Sequence, residues 1–355
     1  MKGRHARGLT TALGPVSVNR EYYWNEDGGV FRADAVLGID GARTRQAIRL
    51  IALAAVDNSF ARSQFVLREF CGWTIDDETI RRTTHAEAKR ASVERPTRAD
   101  ATRFAAAPGA IEILIDAGKV NTLDGWRDVK IGLVLRREAG CPATPAQWDT
   151  RRLPHPTIQT TVAAIEGCGE FATRVRAETD RLHATSDTGV SVLGDGAEWI
   201  WNLAGIVVPQ AAHVLDVYHA LEHVGDAAKA IWGVGTEASK AQMESGRAAV
   251  LAEGKVGLER WLGAAFAEVP EGIDPESLVA LAAYFAKHPT RLDYAGRLAA
   301  GQSIGSGAVE GSIKQNVNLR LKRSGARWKA EHVGPLIELR ALSHEPEWQN
   351  LWTAV

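Results

Sequence analysis

Ile111-Glu-Ile-Leu-Ile-Asp116 is a short apolar run that closes on a carboxylate, and it reads as a buried strand. Val129 to Arg137 predicts a second strand, with Val129, Ile131, Leu133 and Leu135 alternating with Lys130, Gly132, Val134 and Arg136. After a loop through Pro142, Pro145, Pro154 and Pro156, the pattern predicts a helix from Thr160 to about His183. Val190-Ser-Val-Leu-Gly194 is a further strand ending at Asp195; Trp199-Ile-Trp-Asn-Leu203 begins a helix, and Ala212-His-Val-Leu-Asp216 is another strand. Strands interleaved with helices place this unit in the α/β class.

On either side the periodicity changes. From Tyr218 to Leu298 the chain is rich in Ala and Leu with helical spacing and no strand signal, which predicts an all-helical insertion. Residues 8 to 32, with Leu13, Val16, Val18, Tyr22, Trp24 and Phe31 around Gly14-Pro15 and Asp27-Gly28-Gly29, predict two short strands and a hairpin turn. Between Arg43 and Ala91, three short helices are expected: one on Ala47, Leu50, Ile51 and Ala54, one on Phe60, Phe65, Val66 and Phe70, and one starting at Asp76 or Asp77. Such a trio is either a plain helical bundle or a helix-turn-helix, in which Arg81 and Arg82 on the last helix are candidates for DNA contact. The Pro96-containing, Ala- and Arg-rich segment up to Pro108 reads as a linker. The expected organisation is 1–40, a small hairpin region; 41–108, helical domain and linker; 109–218, α/β core; 219–300, helical insertion; 301–355, the remainder of the core with a basic C-terminal helix.

The chain has 355 residues, 45% hydrophobic and 24% charged, which fits a globular protein with a sizeable core. No apolar run reaches the length of a membrane span, and Met1-Lys-Gly-Arg-His5 has no signal core, so a cytoplasmic location is expected. Cys71, Cys141 and Cys168 lie far apart and form neither a metal-type pair nor a disulfide framework. Net charge is −1, yet the charge is segregated: residues 191–300 hold 14 acids and 8 bases, and residues 311–330 hold six bases and no acid. Short-range phosphate contacts respond to such local patches, not to net charge.

The basic run belongs to Ile304-Gly-Ser-Gly-Ala-Val-Glu-Gly-Ser-Ile-Lys-Gln-Asn-Val-Asn-Leu-Arg-Leu-Lys-Arg-Ser-Gly-Ala-Arg-Trp328. Ser306 is a plausible N-cap, and Glu310 falls in a first helical turn, where the dipole favours an acid. One acid followed by Lys314, Arg320, Lys322, Arg323 and Arg327 suits a metal site beside a phosphate chain, and equally a solvated helix with dipole-matched ends.

This stretch, together with Ile113-Leu-Ile-Asp-Ala-Gly-Lys-Val-Asn-Thr-Leu-Asp-Gly-Trp-Arg-Asp-Val-Lys-Ile-Gly132 and Val192-Leu-Gly-Asp-Gly-Ala-Glu-Trp-Ile-Trp-Asn-Leu203 followed by Val214-Leu-Asp-Val-Tyr-His-Ala-Leu-Glu-His223, resembles the DDE-type insertion-sequence transposases of the ISKra type. The resemblance implies an RNase H-like core, with Asp116, Asp195 and Glu310 as catalytic acids holding Mg²⁺ or Mn²⁺, two ions in all. It also implies Asp216 and His219 as a signature pair, double-stranded DNA as partner, and a homodimer or higher oligomer on that DNA. The family's N-terminal zinc ribbon has no counterpart, since Tyr22-Tyr-Trp-Asn-Glu-Asp-Gly-Gly29 lacks cysteine; a catalytically inactive DNA-binding derivative is therefore the second expectation.

Two carboxylates at strand ends and one on a helix meet the demand of phosphodiester chemistry, in which cations activate the nucleophile and stabilise the leaving oxygen. Each acid has an ordinary explanation as well: Gly194-Asp-Gly196 is a common turn sequence, and Asp116 precedes Ala-Gly. A third possibility is a zinc hydrolase, because His219-x-x-Glu222-His223 fits the inverted zinc-site pattern. Trp328, inside the basic run, is the candidate for stacking on DNA.

Overall fold

The computed structural model describes residues 3–26, 28–98, 100–186 and 189–352. The chain opens with β1 (Arg4–Thr11) and β2 (Gly14–Glu21), an antiparallel hairpin in which Arg4 pairs with Glu21 and Thr11 with Gly14. β3 (Tyr23–Asn25) and β4 (Gly28–Val30) form a second, smaller hairpin, so the expected single hairpin is two. Asp27, part of the predicted turn, lies outside the described residues. α1 (Arg32–Val36) leads to β5 (Ile39–Asp40) and β6 (Arg43–Thr44), which add to the first hairpin in the order β2-β1-β6-β5.

Three helices follow as the apolar spacing predicts: α2 (Arg45–Asp57), α3 (Phe60–Cys71) and α4 (Asp77–Val93). Each has a side-chain cap. Thr44 accepts from Ala47 N–H, Ser59 from Arg62 N–H and Asp76 from Thr79 N–H. Ala47, Ile51, Ala55, Leu67, Trp73, Ile75 and Ile80 make a small core of their own, while Ile48, Ala52, Val56, Ala88 and Ala91 join the main core. The segment expected to be a linker is firmly packed instead. α5 (Asp100–Ala106) buries Phe104 completely, and Arg95 and Asp100 enter an ion-pair network with the α/β unit. Arg and Ala, which made this segment read as a solvated connector, here supply buried charge partners and close packing.

The central sheet is built on β7 (Ala110–Thr122) and β8 (Gly125–Arg137), a long antiparallel hairpin closed by Thr122, whose Oγ1 donates to the carbonyl of Gly125 at 2.8 Å. β9 (Ile158–Ala164) pairs antiparallel with β8. The predicted helix from Thr160 is thus wrong over its first part: Ile158-Gln-Thr-Thr-Val-Ala-Ala164 is a strand, and α6 (Cys168–Arg181) begins only after Gly167. Ile158, Thr160, Thr161 and Val162 are β-branched and favour the extended form, a signal that helix-compatible Ala163-Ala-Ile165 obscured. β10 (Ser191–Gly194), α7 (Glu198–Val207) and β11 (Ala212–Leu215) complete the layer. β10 runs parallel to β7 and β11 parallel to β10, giving the order β11-β10-β7-β8-β9.

β7 therefore lies inside the sheet, and its run from Ile111 to Ile115 is buried on both faces. Gly132, opposite Ile115, makes room for Phe171 and Val175 of α6 on one face. Asp116 and Gly118 point to the other.

The helical insertion is as read: α8 (Val217–Trp232), α9 (Glu237–Ala267), α10 (Glu276–Ala286) and α11 (Tyr294–Ala299). α9 bends at Gly254, whose φ of 55° and whose approach to the Leu292 carbonyl, 2.4 Å from where a Cβ would lie, both require glycine. The chain then returns through α12 (Gly307–Ser312), a π-helical turn over Ile313–Asn318, and α13 (Leu319–Leu321). The basic run is thus not one long helix; beyond Leu321 it is extended and turned up to α14 (Ala330–Leu342), which α15 (Glu347–Asn350) follows. α14 packs on β9, with Gly334 against the Ala163 carbonyl, and α4 packs on α14. Among the described residues, no helix is long and apolar enough to cross a membrane.

Candidate acidic site and the basic segment

Asp116 lies in the middle of β7, not at its end as the apolar run implied. It does fall just past the pairing with β10, which covers only Glu112 to Leu114. The β7–β8 hairpin simply continues beyond the sheet, so a side chain at 116 is held rigidly while its outer side stays open. Asp195 follows β10 immediately and accepts the Ala197 N–H at 2.8 Å as the chain turns into α7. Glu310 sits in the first turn of α12, which packs on β7.

These carboxylates influence one another. Burial drives the pKa of Asp116 up to about 6, against the Ala117 N–H that its Oδ1 accepts; the charges of Asp195 and Glu310 add to the rise, and His219 opposes it. Three acids from distant parts of the sequence, with one histidine, therefore share a single electrostatic neighbourhood. Asp216, His219 and Glu310 present ligand atoms that all lie within 4.8 Å of one another. The set is rich in hard carboxylate oxygens, which suit Mg²⁺ or Mn²⁺, while the imidazole shifts preference toward the transition metal.

Asp216 is fully buried, and its oxygens are already engaged. Oδ1 accepts the His219 N–H at 3.0 Å and so caps α8, while Oδ2 accepts both the backbone N–H and, at 2.8 Å, the hydroxyl of Ser306. Ser306 thus does not cap α12 through its side chain, as its sequence position suggested. Asp216 instead ties the end of β11 to the turn that launches Glu310, and Gly305 leaves space for this, since a Cβ there would sit 3.2 Å from Oδ2. Asp216→Ala is expected to lower stability by about 3 kcal/mol, from one lost cap and two buried donors left unpaired. Urea unfolding of the variant checks this; a loss below about 1 kcal/mol would show that the tie does not hold the turn.

His223 and Glu222 do not join the cluster. The His223 ring lies 3.9 Å from that of Tyr284, and the Glu222 side chain is 68% exposed, so the inverted zinc pattern is only partly assembled. Tyr284, on α10, was not legible as a site residue because it occurs in the apolar repeat Leu278–Phe285. In the fold it stands over Gly196, where a Cβ would lie 2.2 Å from its hydroxyl, and burial foremost, with Asp195 and Asp216, raises its pKa to about 12. The insertion therefore forms one wall of the acidic site.

The basic residues divide into two groups. Arg320 is 2% exposed, and its Nε donates to the Ala55 carbonyl at 2.9 Å; Arg323 donates to Asp57 and Arg340 to Val56. Three guanidinium groups thus satisfy the last carbonyls of α2, where orphan acceptors and the negative helix end favour cations. Trp328, expected as a stacking platform, is 8% exposed, donates its indole N–H to the Leu321 carbonyl, and makes a parallel bridge through Thr122. Lys314, Lys322, Arg323 and Arg327 remain exposed, Arg327 donating to the Leu123 carbonyl. On α4, Arg82 is exposed and Arg81 forms a two-pronged pair with Glu78.

Residues 1–104 match an uncharacterised protein family, UPF0236. No curated protein matches the chain. The matched segment ends before β7, which carries the first of the acids.

Proposed function

We propose that this chain is a DDE-type transposase that cuts DNA at a 3′ end of its element by metal-dependent hydrolysis and joins that end to target DNA. What supports the reading is that Asp195 and Glu310, from separate sequence blocks, both act electrostatically on Asp116 just past the β7–β10 pairing, with the ligand atoms of Asp216, His219 and Glu310 within 4.8 Å of one another beside it. An antiparallel β7-β8-β9 meander extended by parallel β10 and β11 supports an RNase H-like core, and the placement of α8–α11 between Asp195 and Glu310 fits an insertion within it.

In this reading Asp116, Asp195 and Glu310 hold Mg²⁺ or Mn²⁺, with His219 beside Glu310. The bound cations would activate the attacking oxygen and stabilise the leaving one. The protein supplies rigidity: Asp116 is fixed by a long hairpin, Asp195 by the Ala197 N–H, and Glu310 by the Asp216–Ser306 tie. Burial of Asp116 and the wall formed by Tyr284 limit water around the reacting phosphate. Arg82, Lys314, Lys322, Arg323 and Arg327 would contact backbone phosphates, giving binding that weakens with salt.

The test is to search the DNA flanking the gene for an inverted repeat and to incubate the full chain with a labelled duplex carrying it, with Mg²⁺, Mn²⁺ or EDTA. Nicks bearing a 3′-hydroxyl at the repeat end, seen only with a divalent cation, are expected. Tight binding with no nick under any cation would remove the catalytic assignment and leave a DNA-binding derivative.

A further inference from the structure

A cavity of about 570 Å³ opens between α4, the start of α3 and the turn over residues 323–329. Arg81, Arg320, Arg323, Arg327 and Lys329 line it together with His85 and His332, and no carboxylate is among its lining residues. Arg81 already has its partner in Glu78. Arg320 does not have a full set: it is 2% exposed, its Nε is taken by Ala55, and its Nη2 is buried with no hydrogen-bond partner among the described residues. Its guanidinium lies 5.0 Å from the Phe60 ring centre and 4.9 Å from that of Trp328, which fix its plane.

A buried guanidinium N–H without an acceptor is costly, and here three more cations surround it at the cavity's mouth. Burial foremost, then nearby Arg323 and Arg340, lower the pKa of Arg320 to about 10, with Asp57 opposing. At His85 burial first, then His332, Arg81 and Arg320, bring the pKa down to about 3, with Glu78 opposing. The two histidines stack at 4.0 Å, closing one side with neutral rings. An anion with several acceptor oxygens would satisfy the Arg320 Nη2 and face the cations of the lining.

We propose that this cavity is a phosphate-binding site, with Arg320 as its inner donor and Arg323, Arg327 and Lys329 as its mouth. Phosphate offers planar pairs of oxygens that match a guanidinium fork, and the surrounding cations compensate its charge. The source is a phosphodiester of a nucleic-acid strand or the phosphate of a small molecule. The site is separate from the acids and does not depend on their chemistry; its link with nucleic acid rests on the DNA-binding reading above.

The full chain, in metal-free buffer, is titrated with inorganic phosphate at constant ionic strength, with chloride as reference, and separately with a labelled 20-base-pair duplex. Three proteins are compared: wild type, Arg320→Lys, and the double variant Arg323→Gln/Lys329→Gln, in which both positions are exposed and the glutamine at 323 keeps an N–H donor for the end of α2, with the unfolding midpoint measured as a check on folding. Saturable phosphate binding by the wild type is expected, weakened about tenfold or more in the double variant. Phosphate that displaces the duplex identifies the nucleic-acid backbone as the source; phosphate that binds without displacing it identifies a small phosphorylated ligand. Either result supports the site. Absence of saturable phosphate binding, or equal affinity in the double variant, overturns it. Duplex binding that persists unchanged in that case leaves the DNA reading standing, whereas phosphate binding in a chain with no duplex affinity leaves only the pocket.

Discussion

On the proposed transposase reading, Asp195→Asn is expected to reduce metal-dependent strand cleavage by at least about a thousandfold, roughly 4 kcal/mol of barrier, while binding to the element end changes little. The asparagine keeps a carbonyl oxygen that can accept the Ala197 N–H, so the turn into α7 survives. What disappears is one negative charge among carboxylates that act on Asp116. The loss should therefore appear in cleavage and in Mn²⁺ affinity together, with the unfolding midpoint within a few degrees of wild type. Cleavage at the wild-type rate would sink the assignment of Asp195. A collapse of stability would make the variant uninformative about chemistry, and Asp195→Ser, which also retains an oxygen near Ala197 N–H, then provides the comparison.

Arg95→Ala is expected to cost about 3–5 kcal/mol, because it breaks a buried ionic network and leaves carboxylates behind. Arg95 pairs at 3.0 Å with both Glu178 of α6 and Glu338 of α14, and it also donates to the Thr161 carbonyl of β9. Glu178 is further held by Arg181, which reaches on to Asp100. Burial alone would push the Glu178 carboxyl up; Arg95 and Arg181 outweigh it and hold its pKa at about 2. A carboxyl depressed in the folded state stabilises above its unfolded pKa, near 4.5, and that contribution is lost as pH falls toward 2. The deficit of the Ala variant should accordingly be largest near pH 7 and shrink below about pH 4.5, as the stranded acids take up protons. Urea unfolding at pH 7, 5 and 4 measures it. A deficit under 1 kcal/mol, or one independent of pH, would mean that the network contributes registry and not stability.

The network also explains why residues 95–108 were misread. Arg, Ala and Pro at these positions have no hydrophobic period, so local pattern points to a connector. Their partners, Glu178 and Glu338, are 83 and more residues away in sequence. Nothing local announces them. The same holds for the basic run from Lys314 to Lys329, which suggested a continuous surface for phosphates. Arg320 and Arg323 instead meet the open carbonyls at the end of α2, more than 260 residues earlier. The cations were legible; the acceptors that claim part of them were not.

Local pattern was enough where the physics is local. Apolar alternation and apolar runs identified β7, β8, β10 and β11, and helical spacing, with Asp76 or Asp77 as the start of the third helix, identified α2 to α4 and the helices of the insertion. It failed at β9, where a strand and the helix after it are separated by only a few residues and the alanines suit either form. The acids were likewise visible one by one, Asp195 after a strand and Glu310 in a first helical turn, although Asp116 lies in mid-strand and not at the strand end that its apolar run implied. The influence of Asp195 and Glu310 on Asp116, the burial that raises Asp116, the tie from Asp216 to Ser306 and the wall formed by Tyr284 belong to the tertiary structure alone. Backbone dihedral preference and side-chain period act over a few residues, and sequence carries them directly. Charge–charge interaction and desolvation depend on distances between groups far apart in the chain, and only packing sets those distances.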